Sequence, residues 1–451
     1  MDEKTRKALD SAKADYVEIR LEERTASTVH YTGKELEDIG TKTGAGGCVR
    51  ALVKGGWGFV SFNDVSHLGR YVKMACEQAA MVGRTDSKLA DIPVATVSSA
   101  NKVDEDPRGV SLEEKERLAA SYNKIILAAP DVQTSNVTYR DYHVCETLVN
   151  SEGACITQET TYCVIALAAI ARDGMNVQRA FQVVSDLRGF QIVRALEETC
   201  EEVAKRAVDL LGAPPVQGGK YTVVCDQKLC GVFVHEAFGH LSESDFLYEN
   251  PDMLELMTLG KRFGSDEVCI VDDPTLPNES GSYEYDSEGA PASKTYLIKD
   301  GLLTGHLHSR ETAARMGEAP TGNARAISFN YQPIVRMSNT YLEPRDKTFE
   351  DLISGVDNGI YAVGALGGMT EMEMFTFSAG EAYAIRGGEV KEMLRDVVLT
   401  GNVKETLGNI DGIGNDLKFN AGGCGKGGQS PLRVSTGGPH IRIRDVVIGG
   451  R

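Results

Sequence analysis

Apolar and polar residues alternate near the start of the chain. In residues 16–23, Val17, Ile19 and Leu21 fall on one side and Glu18, Arg20 and Glu22 on the other, the two-residue period of a half-buried strand. Similar short runs at 27–31, 47–52 and 57–62 predict further strands, with Gly44-Ala45-Gly46-Gly47 read as a turn between them. Residues 64–83 change to a helical pattern, with Leu68, Val72, Met74 and Cys76 among the apolar positions. Periodicity is lost over 84–110, where Ser, Asp and Pro gather and Asp104-Glu105-Asp106 precedes Pro107, so this stretch reads as a linker or long surface connection. Ser111 followed by Glu114 predicts a capping box opening a helix with Leu112, Leu118, Tyr122 and Ile125 or Ile126 on its apolar stripe, ended by Pro130. Strands return at 135–139, 145–149, 155–162 and 164–171, and a second helix is predicted over 189–211, stopped by Gly212 and Pro214-Pro215.

Beyond the junction at 213–220 the pattern changes character. Long helical periods become scarce, and glycine-punctuated strands take over. Asp300-Gly301 and Gly387-Gly388 each sit between apolar runs and predict tight hairpins. The helix-like exceptions are the segment around residue 235 and residues 251–261, for which Asn250 is a cap and Pro251 a first-turn residue. The expected fold class is therefore α+β: an N-terminal unit at 1–95, a middle unit at 110–212 and a larger strand-rich domain at 220–451.

Composition adds mainly exclusions. The 451 residues are 41% hydrophobic and 25% charged, ordinary for a globular protein, and no run approaches the roughly 18 apolar residues of a membrane span. A net charge of −17 argues against nucleic acid as a direct ligand, because phosphates would be repelled. The ten cysteines are scattered, with no C-x-x-C, and read as reduced thiols of a cytoplasmic protein. The charged first residues lead into no apolar run, so no signal peptide is expected.

The stretch richest in chemistry is Val232-Phe233-Val234-His235-Glu236-Ala237-Phe238-Gly239-His240. It reads H-E-x-x-x-H, one residue longer than the H-E-x-x-H helix of common zinc proteases. On a regular helix, positions four apart diverge by about 40° but positions five apart by about 140°. His235 and His240 can share a metal only if the backbone departs from an ideal helix, through a π-type widening or a break at Gly239. Glu236 would then serve as general base. Otherwise the two are packed or solvated imidazoles, as expected for His30, His67 and His143.

A catalytic zinc takes three protein ligands. Glu243, Asp245, Asp286 and Glu288 are possible sources of the third. His306 and His308 share a strand face, but after a hairpin that reads as a sheet edge, and they are taken as structural. Cys424 is the most unusual of the set. It lies in Asn420-Ala421-Gly422-Gly423-Cys424-Gly425-Lys426-Gly427-Gly428-Gln429, where a thiol gains little from burial but sits on backbone that can approach another group closely. Lys426 would favour its ionised form. The plain alternative is a flexible, oxidisable loop thiol. Joined to His235 and His240, Cys424 completes a His₂Cys set with one open position.

These residues resemble the TldD/PmbA metalloproteases, once called modulators of DNA gyrase, and specifically the TldD branch. The resemblance spans nearly the whole chain. It is carried by His235–Asp245; by Asp286-Ser287-Glu288-Gly289-Ala290-Pro291; by Thr321-Gly322-Asn323-Ala324-Arg325 with Arg336-Met337-Ser338-Asn339-Thr340; and by Cys424-Gly425-Lys426-Gly427-Gly428-Gln429. It implies zinc held by His235, His240 and Cys424, with Glu236 as base, and hydrolysis of unstructured peptides. In some bacteria a TldD–TldE heterodimer processes peptide antibiotics and antitoxins, so the expected partner is a second copy or a TldE/PmbA-like chain. The implied fold is an N-terminal α+β region followed by a strand-rich domain. One departure is visible: the family often reads Gly-Leu-Glu-Gly-Asp after the second histidine, where this chain has Leu241-Ser242-Glu243-Ser244-Asp245 and keeps both acids. Two rival functions remain at this point, a non-catalytic peptide-binding subunit and a metal-dependent amidase acting on small molecules. The first has no need of the H-E-x-x-x-H set with Cys424.

Overall fold

The computed structural model describes residues 3–83, 87–371 and 373–449. Its N-terminal half is one seven-stranded sheet in the order Gly56–Phe62, Glu35–Val53, Tyr16–Thr32, Val132–Asn150, Cys155–Asp173 and Thr96–Ala100, with Asn176–Asp186 also paired to Cys155–Asp173. Tyr16–Thr32 and Val132–Asn150 pair antiparallel along almost their whole length, so the segments before and after 84–110 share one sheet. Helix Leu68–Val82 packs Leu68, Val72 and Ala75 against Val49, Ala51 and Val60 at one end. Helices Leu112–Ala128 and Glu197–Gly212 cover the other end, burying Ala119, Tyr122, Ile126, Val203 and Ala207 against Val137, Tyr139, Ile165 and Leu167.

Several expectations are refined by this sheet. Gly44-Ala45-Gly46-Gly47 is not a turn but lies inside the strand Glu35–Val53. A Cβ on Gly46 would come within 2.3 Å of the Phe329 ring, so glycine here lets a distant loop cross the strand. The 84–110 stretch contributes the edge strand Thr96–Ala100, parallel to residues 155–159 of its neighbour. The predicted 189–211 helix is a short 3₁₀ turn, Phe190–Val193, followed by Glu197–Gly212. At the capping box, Ser111 Oγ accepts the Glu114 N–H (3.1 Å), while the Glu114 carboxylate is drawn instead to Arg194 (2.9 Å).

The C-terminal half holds two main sheets. One runs Asn358–Glu371, Gly219–Cys225, Ile441–Gly449, Val398–Asn402, Met374–Arg386, Glu389–Leu394, and Met374–Arg386 also pairs with the first strand, so the order closes on itself there. The other runs Leu302–Leu303, Thr295–Lys299, Ile270–Asp272, Asn339–Leu342, Gln429–Gly438, Lys418–Lys426. Both predicted hairpins form, with Asp300 and Gly301 at φ 50° and 74° and Gly387 and Gly388 at 57° and 76°, the left-handed pair that a two-residue turn requires. A large apolar core lies between the sheets, and Phe233 meets Phe375 and Phe377 edge-on within it, at 5.4 and 6.0 Å between ring centroids.

Charges buried between the halves tie them together. Arg50 pairs with Glu18 (3.2 Å) from the N-terminal sheet and with Glu288 (2.9 Å) from the C-terminal half, and its guanidinium lies 4.3 Å from the centroid of the Trp57 ring. Glu18 and Glu288 are both buried, so Arg50→Ala leaves two carboxylates without their cation. A loss of about 3–5 kcal/mol is expected from urea unfolding of this variant. An unchanged midpoint would show that the pair does not hold the two halves together.

Candidate metal centre

The site begins where strand Gly219–Cys225 ends. Asp226 accepts the Leu229 N–H (2.8 Å) and opens the helix Gln227–Val234. His235–Gly239 then form a π-helical turn, in which the His240 N–H donates to the His235 carbonyl five residues back. This widening brings residue 240 round to the side of residue 235, as the five-residue spacing demands. Gly239 has ordinary helical angles, φ −57° and ψ −50°, so the turn is widened rather than broken. Glycine is needed there for space, since a Cβ would lie 2.0 Å from Met337 Sδ. Gly239→Ala must displace Met337 or the turn, costing about 1–3 kcal/mol. We expect a lower thermal midpoint and weaker metal retention; parent-like values for both would show that the turn tolerates the methyl group.

Cys424 arrives from the other sheet. It lies in strand Lys418–Lys426, opposite Leu432 of Gln429–Gly438. Fully buried Arg336 clamps this hairpin, donating to the carbonyls of Cys424 (2.8 Å) and Gln429 (3.3 Å). The Arg336-Met337-Ser338-Asn339-Thr340 run thus serves the site twice: Arg336 places the thiol and Met337 bears on the π turn, while Ser338 and Thr340 anchor the run to buried Asp272.

One ligand atom from each of His235, His240 and Cys424 lies within 4.8 Å of the others. The two rings stand nearly perpendicular, with centroids 5.3 Å apart, and Cys424 Sγ is 3.5 Å from His240 Nε2. Glu236 Oε2 is 3.7 Å from the same nitrogen. His240 Nδ1 donates to Glu243 at 2.9 Å, which fixes the ring and turns Nε2 toward the thiol. Burial pushes the Cys424 thiol up, but the imidazoles of His235 and His240 outweigh it and hold it at about 5. Burial likewise opposes a charged His240, yet Glu243 and Cys424 raise it to about 10. Glu236, Glu243 and Cys424 thus gather negative charge around the His240 imidazole. Buried His235 Nδ1 has no hydrogen-bond partner, and two imidazoles with a thiolate form a donor set suited to zinc. A divalent ion fits these residues.

The other sequence candidates serve elsewhere. Glu243 braces His240 and also meets Lys426 (3.1 Å). Asp245 holds Lys426 at 2.6 Å and accepts the Val335 N–H at 3.1 Å. Lys426, expected to favour the thiolate, is therefore committed to two carboxylates, and the imidazoles take over that task. Asp286 accepts the N–H groups of Glu288, Ala290 and Ala324, all at 2.9 Å, and so closes its own loop. Glu288 pairs with Arg50. His306 and His308 are buried in a separate cluster with Glu318. The roles of Glu243 and Arg336 were not read from the sequence; the acid three residues after His240, one helical turn on, was the available signal for the first.

The site opens into a cleft of about 460 Å³ lined by Glu236, His240, Phe246, Met369, Thr370 and Lys426, among others. Among the described residues, no helix is long and apolar enough to cross a membrane.

Comparison with known proteins gives the same picture along the chain. Residues 17–79, 105–211 and 218–450 match, in turn, domain 1, the central domain and the C-terminal domain of the PmbA/TldA metallopeptidases. A metalloprotease of Synechocystis sp. is 45% identical over 442 residues, covering 97% of this chain and 96% of that protein. A zinc metalloprotease TldD homolog of Saccharolobus solfataricus is 27% identical, covering 98% of both chains. The crystal structure of TldE from Thermococcus kodakarensis shares the fold, with a TM-score of 0.78 at 18% identity over 99% of each chain. The chain is an enzyme of the PmbA/TldD metallopeptidase family.

Proposed function

We propose that this protein is a zinc-dependent peptidase of the TldD branch, acting on unfolded or extended peptides in the cytoplasm. In this reading His235, His240 and Cys424 hold the metal, and Glu236 is the general base. The carrying observation is the convergence of the three donor side chains from two different sheets' surroundings, with the Glu236 carboxylate 3.7 Å from His240 Nε2 at the wall of an open cleft. A bound zinc ion would supply a Lewis acid to polarise the scissile carbonyl and acidify water. Glu236 takes the proton from the attacking water and later returns it to the leaving amine. Glu243 keeps His240 in one tautomer and orientation through Nδ1.

Preference for extended chains is supported by the cleft wall. Strand Asn358–Glu371 pairs with Gly219–Cys225 only over residues 359–362. Beyond that point, among the described residues, its strand pairing is with Met374–Arg386 alone, and Gly368, Met369 and Thr370 line the cleft. A peptide adding to that free edge is held through its main chain, which reads little side-chain sequence. The partner in this reading is a second copy or a TldE/PmbA-like chain, in keeping with the shared fold of TldE. The test is cleavage of an unfolded polypeptide beside the same polypeptide folded. Broad cutting of the unfolded form and little of the folded one is expected; equal rates on both would contradict the reading.

A further inference from the structure

We propose that His306, His308 and Glu318 form a second divalent-cation site, structural in role, behind the first. His306 and His308 alternate about Leu307 and so present their rings to the same side, with centroids 6.0 Å apart. Both are at most 2% exposed. Glu318 is brought to them by the end of helix Arg310–Met316, where Gly317 turns the chain at φ 70° and the Glu318 N–H returns to the Ala313 carbonyl (3.0 Å).

The hydrogen bonds leave room for a cation between these groups. His306 Nε2 lies 2.8 Å from the Met257 carbonyl, an acceptor only, so that nitrogen carries the proton. A neutral ring then points its Nδ1 lone pair at Glu318, 2.9 Å from Oε1 and 3.2 Å from Oε2. His308 Nε2 also lies 3.2 Å from Glu318 Oε2, and its Nδ1 meets the Thr312 hydroxyl at 3.1 Å. Each imidazole is thus anchored through one nitrogen to a carbonyl or hydroxyl, with the other aimed at a shared carboxylate, the bracing that metal-binding histidines require. Ligand atoms of all three residues fall within 4.8 Å of one another. The two 3.2 Å separations are close to the roughly 3.3–3.5 Å edges of a tetrahedron with zinc–nitrogen and zinc–oxygen distances near 2.0–2.2 Å. The Glu318 side chain is 21% exposed, which gives an ion a way in.

Position supplies the role. Leu307, between the two histidines, donates to the Ser242 carbonyl (2.8 Å) and accepts from the Ser244 N–H (3.1 Å). The Ser244 hydroxyl also meets Thr312 Oγ1 at 2.8 Å. Between those two serines stands Glu243, the brace of His240. An ion at this cluster would hold the extended segment that bridges to Glu243 and positions that brace, whether or not the first site acts as proposed.

The test is equilibrium dialysis of the His235→Ala/Cys424→Ala double variant against cobalt(II). We expect one bound equivalent per chain, with ligand-field bands but no thiolate charge-transfer band, lost when Glu318→Ala is added. The parent should bind two equivalents at saturation, a reading that needs no variant to fold. A single equivalent in the parent that carries the thiolate charge-transfer band, or none in a double variant folded by circular dichroism, would overturn the proposal and leave a protonated histidine–carboxylate cluster.

Discussion

Glu236→Gln is expected to lower kcat for peptide hydrolysis by about 10²–10⁴-fold while metal content stays at the parent level. The amide keeps the size of the carboxylate but cannot accept a proton from water. Glu236 is not among the three donors that converge, so its loss spares the binding of the ion. It lines the cleft rather than the core, so the fold does not depend on its charge. A variant cleaving unfolded peptides at the parent rate would remove Glu236 from the reaction. One that lost the metal would make it a ligand instead.

Cys424→Ala is expected to have the opposite profile: the ion goes first, and activity with it. The thiol is 4% exposed and held near its ionised state by the two imidazoles, so it contributes a negative charge as well as a donor atom. Loss of a partner merely supporting a ligand typically costs 10–100-fold in affinity, and removal of the ligand itself should cost at least about 100-fold. Dialysis against zinc of known free concentration measures this. Parent-like affinity in Cys424→Ala would mean that the two histidines find their third donor elsewhere.

How much of this was legible beforehand differs between fold and site. The α+β class, both two-residue hairpins and the Ser111 and Asn250 caps followed from period and turn chemistry, because those signals are local. The requirement for a departure from the ideal helix, by widening or by a break at Gly239, also followed from arithmetic: five residues on an α-helix place two side chains on different faces, and the π turn at His235–Gly239 is the one that forms. The full length of strand Glu35–Val53 is not legible in sequence, because Gly44-Ala45-Gly46-Gly47 resembles a turn when the loop crossing over it is unseen. The predicted 251–261 helix ends at Leu256, and the Met257 carbonyl beyond it meets His306 from 49 residues away. Arg336 as the clamp on Cys424 and the pairing of Lys426 with Asp245 depend on contacts 88 and 181 residues apart, and Glu243 as a brace on a specific turn geometry, none of which a local pattern carries. In sequence His306 and His308 read as a sheet edge, whereas the chain folds Glu318 back over them and buries both rings.

The central claim is that an imidazole pair and a distant thiolate share one ion. The most direct measurement is the near-ultraviolet spectrum of the cobalt(II)-loaded protein beside that of Cys424→Ala. A thiolate-to-cobalt charge-transfer band in the parent, absent from the variant, is the predicted result, and the His306–His308–Glu318 cluster cannot imitate it because it contains no sulfur. A parent without that band, or a variant that keeps it, would contradict the claim.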